Sequence, residues 1–137
     1  MKIFTCLKEV PDRDTRYELN TGQNEIEEVG LTFEVSECDE YALEESLKLR
    51  EKYGGDVVIL TVGQQRCQKS IRKGLAMGAD RAIFIRDEER KIFSPHATAK
   101  VLTEVLQSKE YDLILAGTQS DDLGYSQTGV ILAEMLK

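Results

Sequence analysis

The stretch Tyr111-Asp-Leu-Ile-Leu-Ala-Gly-Thr-Gln-Ser-Asp-Asp-Leu-Gly-Tyr-Ser-Gln-Thr-Gly129 decides the fold, because it joins a short apolar run to a helical pattern. Residues 113–116 are continuously apolar, as expected of a short buried strand. A polar loop that contains glycine follows, and an apolar helical pattern resumes from about Gln127. This order of strand, loop and helix is one repeat of an α/β fold.

Three apolar runs upstream have the same continuous character, which is typical of parallel strands covered by helices on both faces. They lie at residues 3–7, 57–62 and 82–85. Helical patterns separate them at about 39–52, at about 65–77 and from Ser94-Pro95 onward. We therefore predict an α/β fold: a three-layer parallel sheet with helices on both faces, in a Rossmann-like architecture whose sheet is incomplete without a further C-terminal strand.

Local signals mark where the helices begin and end. Ser94 is a hydroxyl cap, and Pro95 is the residue type favoured at the first helical position. Gly78 predicts a left-handed terminator for the second helix, and Ser36 is a possible cap of the first. Gly74 lies beside the apolar stripe of the second helix, where close packing of helix on sheet would explain it.

Residues 12–37 interrupt the alternation of strands and helices. They are polar and contain two short extended-looking pieces, 16–20 and 23–27, on either side of Thr21-Gly22. We interpret this segment as an exposed hairpin excursion from a single domain that spans residues 1–137. A long insertion of this kind often serves binding, although a plain surface ornament has the same pattern.

The composition excludes several classes of function. A net charge of −7 without a dense cluster of Lys and Arg argues against binding of nucleic acid. Cys6, Cys38 and Cys67 lack the spacing of a disulfide framework or a zinc site, which suits a reducing compartment. No apolar run approaches the ~20 residues that a membrane span needs, and the N-terminus does not resemble a signal peptide. We expect a cytoplasmic protein without a membrane span.

The loop after the fourth strand has the features of an anion-binding site. Gly117, Gly124 and Gly129 allow the backbone to approach a ligand closely. A helix that begins near Ser126-Gln127-Thr128 directs unpaired N–H groups outward, where a phosphate group would bind. If the first and fourth strands are neighbours, this loop and residues 6–8 face one crevice that suits a nucleotide. A polar loop that merely caps a helix has the same spacing.

Other reactive residue types lack the partners that would make them catalytic. Asp121-Asp122 could hold a magnesium ion or ribose hydroxyls, or accept backbone N–H bonds in a turn. His96 begins a helix without a Ser, Cys or Asp partner, as expected of a surface histidine. Cys38 lies near a helix start that could lower its thiol pKa, but no resolving cysteine is in range. The phosphate loops of Walker-type NTPases and ATP pyrophosphatases are absent, so we predict neither a catalytic residue nor a metal site.

Several blocks along the chain resemble, in order, the beta subunit of electron-transfer flavoproteins. Residues 8–12, Lys-Glu-Val-Pro-Asp, resemble the family's Val-Lys-x-Val-Pro-Asp start, and residues 39–45 resemble its Asp-Glu-x-Ala-Leu-Glu-Glu. The most specific block is residues 71–81, which resemble its Arg-Lys-Ala-Leu-Ala-Met-Gly-Ala-Asp-Arg. Gln127-Thr-Gly129 ends the same kind of loop. Because the family's subunit is nearly twice as long, the resemblance covers its N-terminal part.

The resemblance implies a heterodimeric electron carrier, not an enzyme with bond chemistry of its own. The alpha subunit would hold most of the FAD, while the beta subunit would bind AMP, or a second FAD in electron-bifurcating members. The complex would carry electrons between a flavin-dependent dehydrogenase and an acceptor. The backbone of Cys6 would meet the adenine, Ser36, Asp39 and Val62 would line the base and ribose, and residues 117–128 would wrap the phosphate. The cofactor-binding residues expected in that loop are Gly117, Thr118, Gln119, Ser120, Asp121, Asp122, Gly124, Ser126, Gln127 and Thr128.

Three departures from the family pattern bear on the ligand. Ser36-Glu-Cys38 replaces the common Asn-Pro-Phe, Thr118 replaces a lysine, and Ser126 replaces the asparagine before Gln127. Loss of the lysine removes a positive charge that could meet phosphate. The fold and the glycine loop alone are also compatible with a standalone ATP- or AMP-binding stress or signalling module, although the loop lacks the glycine spacing typical of that class.

Overall fold

A computed structural model describes residues 1–22 and 25–137. The strands, in chain order, are β1 Lys2–Cys6, β2 Glu9–Pro11, β3 Leu19–Asn20, β4 Glu25–Ile26, β5 Phe33–Val35, β6 Asp56–Gly63, β7 Arg81–Arg86 and β8 Leu113–Leu115. The helices are α1 Glu37–Tyr53, α2 Gln68–Met77, α3 Pro95–Leu106 and α4 Thr128–Met135, and a 3₁₀ turn at Gln65–Cys67 precedes α2.

Four of the strands form a parallel sheet in the order β7-β6-β1-β8. These are the four apolar runs of the sequence, so the predicted parallel sheet with helices is confirmed. Strand β1 lies between β6 and β8, and the strand order therefore reverses at β1. In open α/β sheets a ligand crevice forms at such a reversal, outside the carboxyl ends of the strands.

Two hydrophobic clusters, one on each face of the sheet, form the core. The face covered by α1 contains Ile3, Leu7, Val35, Leu43, Leu47, Val57, Ile59 and Ala79. The opposite face, covered by α3 and α4, contains Phe4, Val58, Leu60, Ala99, Leu102, Leu106 and Leu132. Alternate residues of β1 and β6 thus supply both clusters, which explains why these strands read as continuous apolar runs.

The predicted helix boundaries are confirmed where local signals mark them. Ser94 caps α3 by accepting a hydrogen bond from the backbone N–H of Ala97, and Pro95 is the first helical residue. Gly78 ends α2 with φ of 125°, a backbone conformation that favours glycine. A Cβ atom at Gly74 would lie 2.5 Å from Ile59 Cδ1, so α2 packs closely on the sheet and a larger residue there would require the end of the Ile59 side chain to shift.

Two small antiparallel pairs lie in and next to the excursion before α1. Leu19–Asn20 pairs with Glu25–Ile26, while Gln23 and Asn24, which belong to the second predicted extended piece, lie outside the described residues. Glu9–Pro11 pairs with Phe33–Val35. The second pair closes the base of the excursion and returns the chain to the start of α1.

Within the described residues, no helix combines the length and apolar character that crossing a lipid bilayer would require.

Candidate functional site

A cleft of about 410 Å³ opens at the carboxyl ends of β1, β6 and β8. Its walls are residues 6–9, residues 62–64 and residues 116–120, which follow or end these strands, together with the first turns of α3 and α4. The volume falls within the range of small-molecule sites in proteins. Because β1 and β8 are neighbours, the expected crevice between the first strand and the glycine loop is present.

The carboxylate of Asp39 joins the two sides of this cleft. Its Oδ2 accepts a hydrogen bond from the backbone N–H of Lys8 at 2.8 Å, and its Oδ1 accepts one from the backbone N–H of Gly117 at 2.8 Å. Asp39 is 7% exposed. Burial raises the pKa of this carboxyl to about 6, although the two amides and the Lys8 ammonium favour its charged form. The first turn of α1 therefore sets the distance between the end of β1 and the start of the loop.

Gly117 lies against this turn so closely that a side chain does not fit. A Cβ atom there would lie 2.5 Å from Asp39 Oδ1 and 2.7 Å from the carbonyl carbon of Cys38. These neighbours include helix backbone, which cannot move aside as the end of a flexible side chain can. The glycine is therefore needed for contact between loop and helix.

Asp121 fastens the middle of the loop to the start of α1. Its Oδ2 accepts hydrogen bonds from the backbone N–H of Glu37 at 2.7 Å and from Ser36 Oγ at 3.2 Å. The Ser36 hydroxyl makes no local cap bond and instead accepts the N–H of Asp121. The Glu37 amide, Ser36 and Arg13 together lower the pKa of the Asp121 carboxyl, and the amide contributes most. A carboxylate 84 residues away thus does what an N-cap side chain usually does.

Asp122 forms an ion pair with Lys8 across the mouth of the cleft. Lys8 Nζ lies 2.6 and 2.8 Å from the two carboxylate oxygens, and 3.1 Å from Ser120 Oγ. Burial raises and the Lys8 ammonium lowers the pKa of Asp122, with a net lowering. Both aspartates of the loop therefore make long-range contacts in addition to the turn bond that Asp122 accepts from the N–H of Leu123.

Ser126 has a left-handed backbone conformation, with φ of 56°. This region is sterically unfavourable for residues with a Cβ atom, and asparagine tolerates it better than serine. We expect Ser126→Asn to raise the free energy of unfolding by about 0.5–1 kcal/mol. Urea unfolding would measure this, and Ser126→Ala, which relieves no backbone strain, should show no gain. An equal gain in both variants would contradict the explanation.

A cluster of paired charges also lines the cleft. Arg66 Nε donates to Glu9 at 2.8 Å, a second nitrogen lies 3.1 Å from Glu28, and the guanidinium group lies 3.9 Å from the centre of the Phe33 ring. Arg90 also pairs with Glu28. Glu28 and Phe33 belong to the excursion, which therefore packs against one wall of the cleft.

The cysteines and the histidine show no nucleophilic arrangement. Burial, with the nearby Asp39 carboxylate, raises the pKa of the Cys6 thiol to about 12. Burial and Glu9 raise that of Cys67 to about 12. Both thiols are therefore protonated at neutral pH, as expected of packing residues. His96 is exposed in the first turn of α3. The described part of the chain contains no group of His, Cys, Asp and Glu side chains suited to a metal ion.

The structure brings most of the predicted cofactor-binding residues to one cleft. Those on its lining are Cys6, Asp39, Val62, Gly117, Thr118, Gln119, Ser120, Asp122, Ser126, Gln127 and Thr128. Ser36, Asp121 and Gly124 are not on the lining; Ser36 and Asp121 bind each other where the loop meets α1. Their predicted contact with a cofactor stays a prediction, as does that of the lining residues.

Sequence reasoning did not select several lining residues, among them Arg66, Arg90, Phe93, Ser94 and Tyr125. A signal for two of them was present, because the Ser94-Pro95 cap places the start of α3 at the carboxyl end of the sheet, next to Phe93. No local signal marks Arg66, whose position depends on contacts with Glu9 and Glu28 across the fold.

Comparison with known proteins agrees with this fold. Residues 23–137 match the family model of the electron transfer flavoprotein domain. The chain is 33% identical to the electron transfer flavoprotein subunit beta of Methylophilus methylotrophus, over 99% of the chain and 52% of that protein. It is 35% identical to the protein of the same name from Bacillus subtilis (strain 168), over 99% of the chain and 52% of that protein. It is 32% identical to the mitochondrial electron transfer flavoprotein subunit beta of Arabidopsis thaliana, over 99% of the chain and 54% of that protein.

The chain thus spans about half the length of the curated relatives it matches. The resemblance to the beta subunit that the sequence blocks indicated is confirmed. Because the family model covers most of the residues, the chain belongs to the electron transfer flavoprotein domain family.

Proposed function

We propose that residues 1–137 form a single nucleotide-binding domain of an electron-transfer flavoprotein beta subunit. The cleft binds the adenosine phosphate part of AMP or of a second FAD. The names of the relatives support the class of protein. The position of the cleft, where the strand order reverses, supports a nucleotide as the ligand.

One observation carries this proposal: the Asp39 carboxylate holds the end of β1 and the start of the glycine loop together around the cleft. The groups that Asp39 fixes are the backbone amides of Lys8 and Gly117. The first turns of α3 and α4 line the same cleft. Helix N-termini and loop amides offer N–H donors that suit a phosphate group. The apolar floor formed by Leu60 and Val62 suits the flat face of a base.

In this proposal the domain positions a cofactor and does no bond chemistry of its own. A bound flavin would supply the electron-carrying chemistry, and the residues of this chain would hold its adenylate part. The partners would be an alpha subunit that holds most of the FAD, a flavin-dependent dehydrogenase and an electron acceptor. The place of action would be the cytoplasm.

Nucleotide released by heat from the purified chain, identified by mass spectrometry and followed by titration with AMP and FAD, tests the proposal. Release of AMP or FAD, or their binding to chain freed of nucleotide, would support it. A chain that binds neither would contradict it. Tight binding of ATP by an isolated homodimer would instead favour the signalling module.

Two adjacent glutamines offer a matched test of where the nucleotide binds. Gln64 lines the cleft, whereas Gln65 is exposed and is not part of its lining. We expect Gln64→Trp to weaken binding of AMP at least about tenfold, because the indole ring occupies part of the cleft. Gln65→Trp should bind AMP like the original chain. Equal affinities in the two variants, measured by calorimetric titration, would exclude the cleft as the site.

A further inference from the structure

The ion pair between Lys8 and Asp122 lies on the lining of the cleft and joins the residues that follow β1 to the glycine loop. We propose that Lys8 is the phosphate-binding side chain of this cleft, and that the phosphate group of an adenosine nucleotide competes with Asp122 for the Lys8 ammonium group. This inference rests on the proposed function and adds to it the side chain that recognises the charge of the ligand.

The backbone of Lys8 is fixed while its side chain remains accessible. The Lys8 N–H donates to the buried Asp39 carboxylate at 2.8 Å, which holds the Cα atom at the end of β1. The side chain is 40% exposed and extends along the cleft to Ser120 and Asp122. The ammonium group can therefore turn from one acceptor to another without moving the sheet.

The loop itself provides no positive charge for a phosphate group. Residues 117–129 contain Asp121 and Asp122 but no lysine or arginine. An anion bound by loop amides alone would face the carboxylates of Asp39 and Asp122, which line the cleft. Because like charges at such distances repel strongly when partly buried, a cation from elsewhere in the fold is needed.

Lys8 is the lining cation placed to supply this charge. Arg66 and Arg90, the other cations on the described lining, already have carboxylate partners outside the loop. Arg66 pairs with Glu9 and Glu28, and Arg90 pairs with Glu28. Lys8 contacts the loop directly, because both of its side-chain hydrogen-bond partners are loop residues.

Asp122 presents to Lys8 the same kind of acceptor that a phosphate group would. Its two oxygens lie 2.6 and 2.8 Å from Nζ, which are distances typical of charge-assisted bonds. Exchange of one oxyanion for another leaves the ammonium group paired throughout, whereas the Asp122 carboxylate gives up this partner and keeps the hydrogen bond from the Leu123 N–H. In this proposal Asp122 competes with the ligand for the Lys8 ammonium group.

The test compares AMP with adenosine, which lacks the phosphate group, on the full chain and on two variants. We expect Lys8→Gln to weaken binding of AMP by about tenfold or more, since a hydrogen bond to a charged group is lost, and to leave binding of adenosine unchanged. We expect Asp122→Asn to tighten binding of AMP several-fold, because the competing charge is removed, again without effect on adenosine. Thermal unfolding would confirm that both variants fold.

The outcomes separate this inference from the proposed function. If the original chain binds neither AMP nor adenosine, the proposed function and this inference both fail. If it binds both, and Lys8→Gln weakens them equally or not at all, the role of Lys8 in phosphate binding is wrong while the nucleotide cleft stands. Weaker binding of AMP by Asp122→Asn would also overturn the inference, since it would make Asp122 part of the binding site.

Discussion

Replacement of Gly117 by alanine is expected to lower the free energy of unfolding by about 2–4 kcal/mol. The new Cβ atom would lie 2.5 Å from Asp39 Oδ1 and 2.8 Å from the Asp39 backbone nitrogen. Relief of this overlap requires the loop to move away from α1, which breaks the 2.8 Å hydrogen bond between the Gly117 N–H and the carboxylate. The loss therefore combines steric strain with a hydrogen bond to a buried charged group. Urea unfolding monitored by circular dichroism would measure it.

Gly129 in the same loop-to-helix segment provides the control. A Cβ atom there meets Ala116 Cβ at 3.7 Å, an ordinary contact. Since Gly129 lies within α4, alanine should be neutral or should raise the free energy of unfolding by up to about 1 kcal/mol. If the two alanine variants were equally stable, the contact between loop and α1 would not matter to the fold. Binding of AMP should be weakened by the change at Gly117 alone.

The sheet could be predicted from the sequence because the patterns that mark its strands and helices involve residues close together in the chain. Each central strand is a continuous apolar run, and the start of α3 carries its own cap, Ser94-Pro95. Patterns of this kind depend on burial and on backbone geometry within a few residues, so they can be recognised without knowledge of the rest of the chain. The strand pair Glu9–Pro11 and Phe33–Val35 was not predicted, because neither three-residue segment is a continuous apolar run like that of β8.

The contacts that organise the cleft could not be predicted from local patterns. Asp39 binds the backbone of Lys8 and Gly117, which are 31 and 78 residues away. Asp121 supplies the missing cap of α1 from 84 residues away, so the helix begins at Glu37, two residues before the predicted start. Such contacts depend on which strands become neighbours, and spacing along the chain does not reveal their partners.

The glycines of the loop illustrate the same limit. Spacing treats Gly117, Gly124 and Gly129 alike, as positions where backbone can approach a ligand. The structure gives each a different role. Gly117 lies against the first turn of α1, where a Cβ atom does not fit. Gly124 has a left-handed backbone conformation, with φ of 59°, and Gly129 is an ordinary helical residue. The family pattern singled out a loop that lines the cleft, while the role of each residue within it depends on tertiary contacts.

Replacement of Asp39 by asparagine is expected to lower the free energy of unfolding by about 2–3 kcal/mol at pH 5, and by less at pH 8. Asparagine has one acceptor oxygen, so either the Lys8 or the Gly117 amide would face an NH₂ group and lose its partner. The pH dependence arises from the original chain. Its Asp39 has a pKa of about 6 in the folded state, raised mainly by burial, against about 3.9 when unfolded.

Because the folded state holds this proton more tightly, the stability of the original chain falls as the pH rises from about 4 through 6 and is level above that. The asparagine variant lacks this titration, so the difference in free energy of unfolding between the original chain and the variant should shrink by about 1–2 kcal/mol between pH 5 and pH 8.

Asp121→Asn is the matched control, for which the pH dependence has the opposite sign. The lowered pKa of Asp121 makes its carboxylate stabilising above the unfolded pKa, and this contribution is lost at acid pH. Urea unfolding of the three proteins at both pH values measures these differences. A difference for Asp39→Asn that widens with pH would show that the two amides outweigh burial and that the charged carboxylate stabilises the cleft.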